Sequence, residues 1–503
     1  MSARRTGAVP DGRALVRVRP SSRQLAWQEM EFYGFVHFGM NTMTGREWGE
    51  GHDDPAAFDP ADLDADQWVT ALQAAGMTGV ILTCKHHDGF CLWPSDVTTY
   101  SVASSPWRGG RGDVVAEVAD AARRHGLRFG IYLSPWDRHE ASYGSGAAYD
   151  DFYVAQLTEL LTRYGPVFTV WLDGANGEGP NGRRQVYDWE RYYAVVRELQ
   201  PDAVINVCGP DVRWCGNEAG ATRPDEWSVV PRALQDAERI ADRSQQADDG
   251  AFARLVRSDD RDLGSRAALA GHEDDLVWYP AEVNTSIRPG WFHHPAEDGE
   301  VRSADTLFDI YLRSVGGNSC FLLNVPPARD GRMRDADVAV LERLGRRIDD
   351  FRRRRAKAVA TVSSGSPGDV ATAWPAEWPA ASPGGSPGGS PGGSPGGSPG
   401  GGRTPWRPDG DDPLPGLTLT FAGPRPIEAV VVGEDIAQGQ RIEHVVVRGH
   451  GDGGWERLAE ANAVGYQRVL TFPAAEVDAV RIEIPQFRDT PVVARAAAIE
   501  ATP

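Results

Sequence analysis

Lysine is almost missing from this 503-residue chain: Lys85 and Lys357 stand alone, and arginine supplies the rest of the 52 basic side chains. Against 71 acidic residues, the formal net charge is -19. Nucleic acids and anionic membranes are gripped through basic faces, so this balance argues against both as partners. The one dense basic run, Arg352 to Arg355, reads as a solvated helix face. Cysteine is scarce as well. The five residues (Cys84, Cys91, Cys208, Cys215, Cys320) are odd in number and lack the close paired spacing of zinc sites, and several sit in apolar runs where a thiol acts as a small hydrophobe. No metal and no cofactor is expected. No apolar stretch reaches 18 residues, which argues against a spanning helix, and Met1 to Pro20 carries arginines without an apolar h-region. A cytoplasmic location is the expectation.

What the chain does have is a set of short apolar runs that end on polar residues. In Pro166 to Gly174, the run Val167, Phe168, Val170, Trp171, Leu172 stops at Asp173. Such a run reads as a strand buried on both faces, and packing rarely places a carboxylate at its end. Similar runs at Gly34 to Phe38, Gly79 to Cys84, Leu127 to Leu133, Ala203 to Val207, Trp227 to Val230, Leu276 to Pro280 and Cys320 to Val325 bring the count to eight. Amphipathic helices lie between them: Asp64 caps one that stops at Gly76, Asp113 one that stops at Gly126, and a third runs from Tyr149 to Gly165. Eight strands and their helices over about 300 residues fit a (β/α)8 barrel. An open doubly wound sheet is the alternative, but its Gly-rich phosphate loop is missing.

After Arg355 the texture changes to short alternating runs at Ala358 to Ser363, Leu417 to Phe421, Ala429 to Val432, His444 to Arg448, Arg468 to Phe472 and Val480 to Ile484. These predict a C-terminal antiparallel β-sandwich. The expected division is an extension over 1–24, a catalytic barrel over 25–355 and a sandwich over 356–503. The sandwich is interrupted at 382–402 by a Ser-Pro-Gly-Gly repeat too rich in Pro and Gly for helix or ladder.

Polar residues gather where the predicted strands finish: His37; Lys85, His86, His87 and Asp88; Trp136 and Asp137; Asp173; Glu282. In a barrel those ends share one rim, where active sites are assembled. Two chemistries suit the set. Histidines and carboxylates (His86, His87, Asp173, Glu282) could bind a metal that activates water, or two carboxyl groups could flank a glycosidic bond. Trp48, Trp93, Trp136, Trp171, Trp214 and Trp291 all fall at or just after strand ends and favour the second, because a sugar's apolar face needs aromatic platforms. A non-catalytic sugar-binding protein is a third reading.

His37-Phe38-Gly39, Glu47-Trp48, Lys85-His86-His87-Asp88-Gly89-Phe90, Gly130-Ile131-Tyr132-Leu133-Ser134 and Trp171-Leu172-Asp173-Gly174 together resemble the α-L-fucosidases of glycoside hydrolase family 29. The resemblance spans about residues 25 to 330. It implies a retaining exo-glycosidase acting on fucosylated oligosaccharides or glycoconjugates. Asp173 would be the nucleophile, with His37, His86, His87, Glu47, Trp48, Trp136, Trp171, Glu282 and Trp291 about the sugar. Arg213 to Gly220 and Ser286 to Phe292 resemble the subgroup that cleaves α-1,3/1,4-linked fucose. That makes Glu218 the implied acid/base, with Glu282 in reserve.

Overall fold

The computed structural model describes residues 11–236, 262–370 and 404–502. Eight parallel strands form its central sheet: β1 (Phe32–Val36), β2 (Gly79–Lys85), β3 (Arg128–Leu133), β4 (Thr169–Leu172), β5 (Val204–Val207), β6 (Arg213–Trp214), β9 (Ala281–Ser286) and β10 (Cys320–Asn324). Their order is β5-β4-β3-β2-β1-β10-β9-β6. A parallel bridge from Asn206 to Val212 draws the two ends together, so the sheet curls into a nearly closed barrel. The strand Gly-Val-Ile-Leu-Thr-Cys-Lys is buried along its whole length, as its apolar run Val80 to Leu82 requires.

The surrounding helices start and stop where their caps dictate. Asp64 and Asp113 accept the backbone N–H of Gln67 and Ala116 and open the helices Ala65–Ala74 and Val114–His125. Gly126 ends the second in the left-handed conformation. All five cysteines are buried, and none is in a disulfide. Arg352, expected on a solvated face, is instead buried against Glu31 and the Tyr311 hydroxyl, while Arg353 does face outward. An ion pair turned one position of the run inward.

Two expected barrel strands belong elsewhere. The runs at Trp227 to Val230 and Leu276 to Pro280 form an antiparallel ribbon, β7 (Val229–Pro231) with β8 (Leu276–Trp278). The ribbon's Val229 and Trp278 bury against Leu15, Leu269, Ile436 and Tyr466, which span the N-terminal turn and the C-terminal region. Apolar content there signalled burial without barrel membership. The vacated seats are taken by β6, two residues long and containing an arginine, and by β9, whose Glu282, Asn284 and Ser286 are polar yet buried.

The C-terminal region is an antiparallel sheet of β11 (Val359–Val362), β12 (Gly416–Glu434), β13 (Ile442–Gly451), β14 (Gly454–Asn462), β15 (Arg468–Phe487) and β16 (Val493–Glu500). Runs that read as separate strands, Leu417 to Phe421 and Ala429 to Val432, lie on the single strand β12, and Arg468 to Phe472 and Val480 to Ile484 lie on β15. Register shifts between Thr420 and Arg425 and between Ile427 and Ala429 mark irregularities where the long pair can bend, so its halves serve two faces. One half pairs with β11 and β13, the other with β16, around a core that includes Leu417, Val430, Val447 and Ile482. The Ser-Pro-Gly-Gly tract lies outside the described residues.

Candidate active site

Asp173 follows the last residue of β4 and is positioned by its neighbours. The Tyr132 hydroxyl, from β3, donates to Oδ2 at 2.8 Å, and the backbone N–H of Ala175 donates to Oδ1 at 2.9 Å. His87 Nε2 stands 3.9 Å from Oδ2, beyond a direct hydrogen bond. The side chain keeps 22% of its surface open. The carboxyl group is thus gripped by two donors and partly open to the space beyond the strand end.

Three histidine rings line the wall beside it. His86 and His87 lie 4.1 Å apart by ring centroid, and His37 and His86 5.8 Å apart. Each Nδ1 is tied down by a different partner, and the partners set the tautomers. Ser134 Oγ gives its proton to the Trp136 carbonyl at 2.6 Å, so it accepts from His87 Nδ1–H at 2.7 Å. Asn324 donates through its amide nitrogen to the Trp291 carbonyl, so its oxygen accepts from His37 Nδ1–H at 2.8 Å. Asn41 donates through its amide nitrogen to the Glu47 carbonyl and to His86 Nδ1 at 3.2 Å. His37 and His87 therefore present an Nε2 lone pair, and His86 presents an Nε2–H. Burial keeps all three neutral: it lowers His37 to about 3 and His87 to about 4, and holds His86 well below the usual histidine range.

Two glutamates hold two tryptophans. Glu282 lies inside the barrel with no exposed surface, accepting from Tyr33 Oη at 2.5 Å, Trp171 Nε1 at 2.8 Å and Asn206 Nδ2 at 2.7 Å. Its burial raises its pKa. The expectation that Glu282 touches the sugar, or serves as reserve acid, is corrected by this position. It sits on the strand, not past its end, and it anchors Trp171, which stacks on Tyr132 at 5.4 Å. Among the described residues no cluster of three or more His, Cys, Asp or Glu is arranged to hold a metal. Glu47 clamps the turn after β9: it accepts from the backbone N–H of Trp291 at 2.8 Å and of Phe292 at 3.2 Å, and pairs with His294 Nε2 at 2.7 Å.

The remaining aromatics enclose the space. Trp48 meets His87 and Trp136 edge-on at 5.6 and 5.4 Å, and Trp136 lies 4.9 Å from His87. Gly177 leaves room for the Trp136 ring, since a Cβ there would fall 2.2 Å from it. Trp291 lies 5.0 Å from His37. Trp93 is not on this wall: it is fully buried and donates to Glu159 Oε2 at 2.7 Å, as a core residue does. Lys85 of the histidine motif is likewise internal, paired with Asp137 at 2.7 Å.

Glu218 lies on the loop after β6. Its neighbour Asn217 cross-braces that loop, accepting from the N–H of Ala219 at 3.1 Å and Ala221 at 3.0 Å and donating to the Ala221 carbonyl at 3.0 Å. Arg213 and Arg223 both pair with Glu226 at the loop's far end. Trp291 Nε1 donates to Glu218 Oε2 at 3.2 Å, joining this loop to the turn that Glu47 clamps. Sequence reasoning missed Tyr132 as the partner of Asp173, the amides Asn41 and Asn324, Ser134, and His294. Only Tyr132 and Ser134 stood in a motif singled out beforehand.

A carboxylate held by donors, a neutral histidine wall, indole platforms and a second carboxyl on a braced loop are what a barrel enzyme acting on carbohydrate needs. The Alpha-L-fucosidase family model matches residues 24–350. Alpha-L-fucosidase 1 of Arabidopsis thaliana is 39% identical over 482 residues, covering 94% of this chain and 86% of the plant protein. A solved structure from Bacteroides ovatus superimposes with a TM-score of 0.80 at 39% identity, over 100% of this chain and 78% of that one. A Ruminococcus gnavus family 29 fucosidase in complex with fucose gives 0.76 at 26% identity, over 99% and 97%. The chain belongs to the α-L-fucosidase family, glycoside hydrolase family 29. Among the described residues no helix is long and apolar enough to cross a membrane.

Proposed function

We propose that this chain hydrolyses terminal α-L-fucosyl linkages with retention, through Asp173 as nucleophile and Glu218 as acid/base. The observation that carries the reading is the setting of Asp173, oriented by Tyr132 and Ala175 beside His87. In the first step an Asp173 oxygen bonds to the anomeric carbon, the glycosidic C–O bond breaks, and Glu218 gives its proton to the departing oxygen. In the second, water loses a proton to Glu218, its oxygen bonds to the same carbon, and Asp173 leaves as carboxylate. His37 and His87 accept hydrogen bonds from sugar hydroxyls while His86 donates one. Trp48, Trp136, Trp171 and Trp291 supply the apolar walls.

An α-1,3/1,4 preference on branched glycans is part of the same reading. It is supported by the subgroup-like loops Arg213 to Gly220 and Ser286 to Phe292, which meet at the Trp291 to Glu218 contact. The test is Asp173→Ala on an aryl fucoside, with the anomer of the first product recorded for the parent enzyme. Turnover should fall by about 10⁴-fold or more and recover in part with azide. Undiminished turnover, or an inverted first product, would refute the mechanism. A panel of fucosylated trisaccharides tests the linkage preference separately.

A further inference from the structure

His294 takes no part in the mechanism above, yet its contacts converge on the acid. It pairs with Glu47 at 2.7 Å, with side-chain exposures of 20% and 18%. The hydrogen bond that His294 donates to Glu47 raises the His294 pKa and favours the charged ring opposite the carboxylate. Both Glu47 oxygens are engaged by the turn: Oε2 takes the Trp291 N–H, and Oε1 takes the Phe292 N–H and His294. Gly290 has no room for a Cβ, which would lie 2.4 Å from Glu47 Oε1, so the turn is fitted closely over this carboxylate. The Trp291 carbonyl is held from the other side by Asn324 at 2.8 Å. A turn fixed at both its N–H and its carbonyl leaves the Trp291 indole little freedom, and that indole donates to Glu218.

We propose that His294 is a positioning residue for proton transfer: by pairing with Glu47 it seats the Gly290 to Phe292 turn so that Trp291 holds the Glu218 carboxyl in line with the leaving oxygen. Glu47, expected among the sugar's neighbours, thereby acts on the acid through the turn. The inference rests on Glu218 being the acid/base.

The experiment measures kcat of four variants, His294→Leu, His294→Gln, Trp291→Phe and Glu218→Gln, on a fucosylated trisaccharide and on 2,4-dinitrophenyl fucoside, whose leaving group needs no proton. Loss of a hydrogen bond to a charged group should cost His294→Leu about 10- to 100-fold on the trisaccharide, with a loss about tenfold smaller on the aryl substrate. Trp291→Phe should show the same bias. His294→Gln, whose amide still donates to Glu47, should return to within about threefold of the parent on both. Equal losses on the two substrates, no loss in His294→Leu, or no rescue by glutamine would overturn the proposal. If His294→Leu does not fold, Trp291→Phe and His294→Gln decide it alone. If Glu218→Gln lacks the leaving-group bias, the acid/base assignment fails; if it has the bias and His294→Leu does not, only the role of His294 fails.

Discussion

The two carboxyl groups at the rim are held in opposite ways. Asp173 follows directly from β4, and its hydroxyl donor Tyr132 comes from the adjacent strand β3, so its place is fixed by the barrel's own hydrogen-bond ladder. Glu218 sits on a loop after a two-residue strand and depends on an asparagine brace and an indole from a separate turn. The contrast suits the two tasks we propose for them. A nucleophile must attack one carbon from a constant position, and strand ends give that precision. An acid/base must face whatever leaving group the glycan brings, and loops are where such adaptation is built.

The comparison can be tested in order of expected effect. Glu218→Gln should cost about 10²- to 10⁴-fold on fucosylated trisaccharides and far less on an activated aryl fucoside, as measured by kcat. An equal cost on both would mean that the loop carries a structural role and the acid lies elsewhere. Tyr132→Phe removes one donor from Asp173 and should lower kcat/KM by about 10- to 100-fold. A kcat/KM equal to the parent's would leave Tyr132 as packing.

Asn217→Ala should cost about 3- to 10-fold on the trisaccharide, because neighbouring contacts still hold part of the loop. If it matched Tyr132→Phe, the loop would be as rigidly specified as the strand. The smallest effect is on stability. The folded pKa of His87 lies near 4, below its unfolded value of about 6.5, so between those pH values the unfolded chain binds a proton that the folded one refuses. Stability should therefore fall as pH drops from about 6.5 toward 4. His87→Gln should blunt that slope in thermal melts, whereas Asn217→Ala should leave it unchanged.

The sequence was legible where one residue type had one physical use. Asp173 stood out because an apolar run ended on a charge, and the helices Ala65–Ala74 and Val114–His125 because Asp and Gly mark their ends. It misled where burial and membership part company. The ribbon strands β7 and β8 are apolar because they pack against the N-terminal turn and the C-terminal region, and β9 is polar because its inward side chains meet donors across the barrel. Glu282 illustrates the second case. A glutamate after an aromatic pair looks like a rim residue, but Tyr33, Trp171 and Asn206 make its complete burial tolerable, and none of those contacts can be read along the chain. Trp93 and Arg352 failed for the same reason, each drawn inward by one distant carboxylate.

Alone, the sequence determined the alternation that makes a barrel, the strand-end placement of Asp173 and the histidine motif, because these follow from periodicities of two and 3.6 and from short-range capping. The tertiary structure decided which strands close the barrel, which tautomer each histidine takes, and which carboxylates reach the sugar space or hold its walls. Those outcomes depend on donors and acceptors far apart along the chain, such as His37 and Asn324, 287 residues apart, and such pairings exist only once the chain has folded.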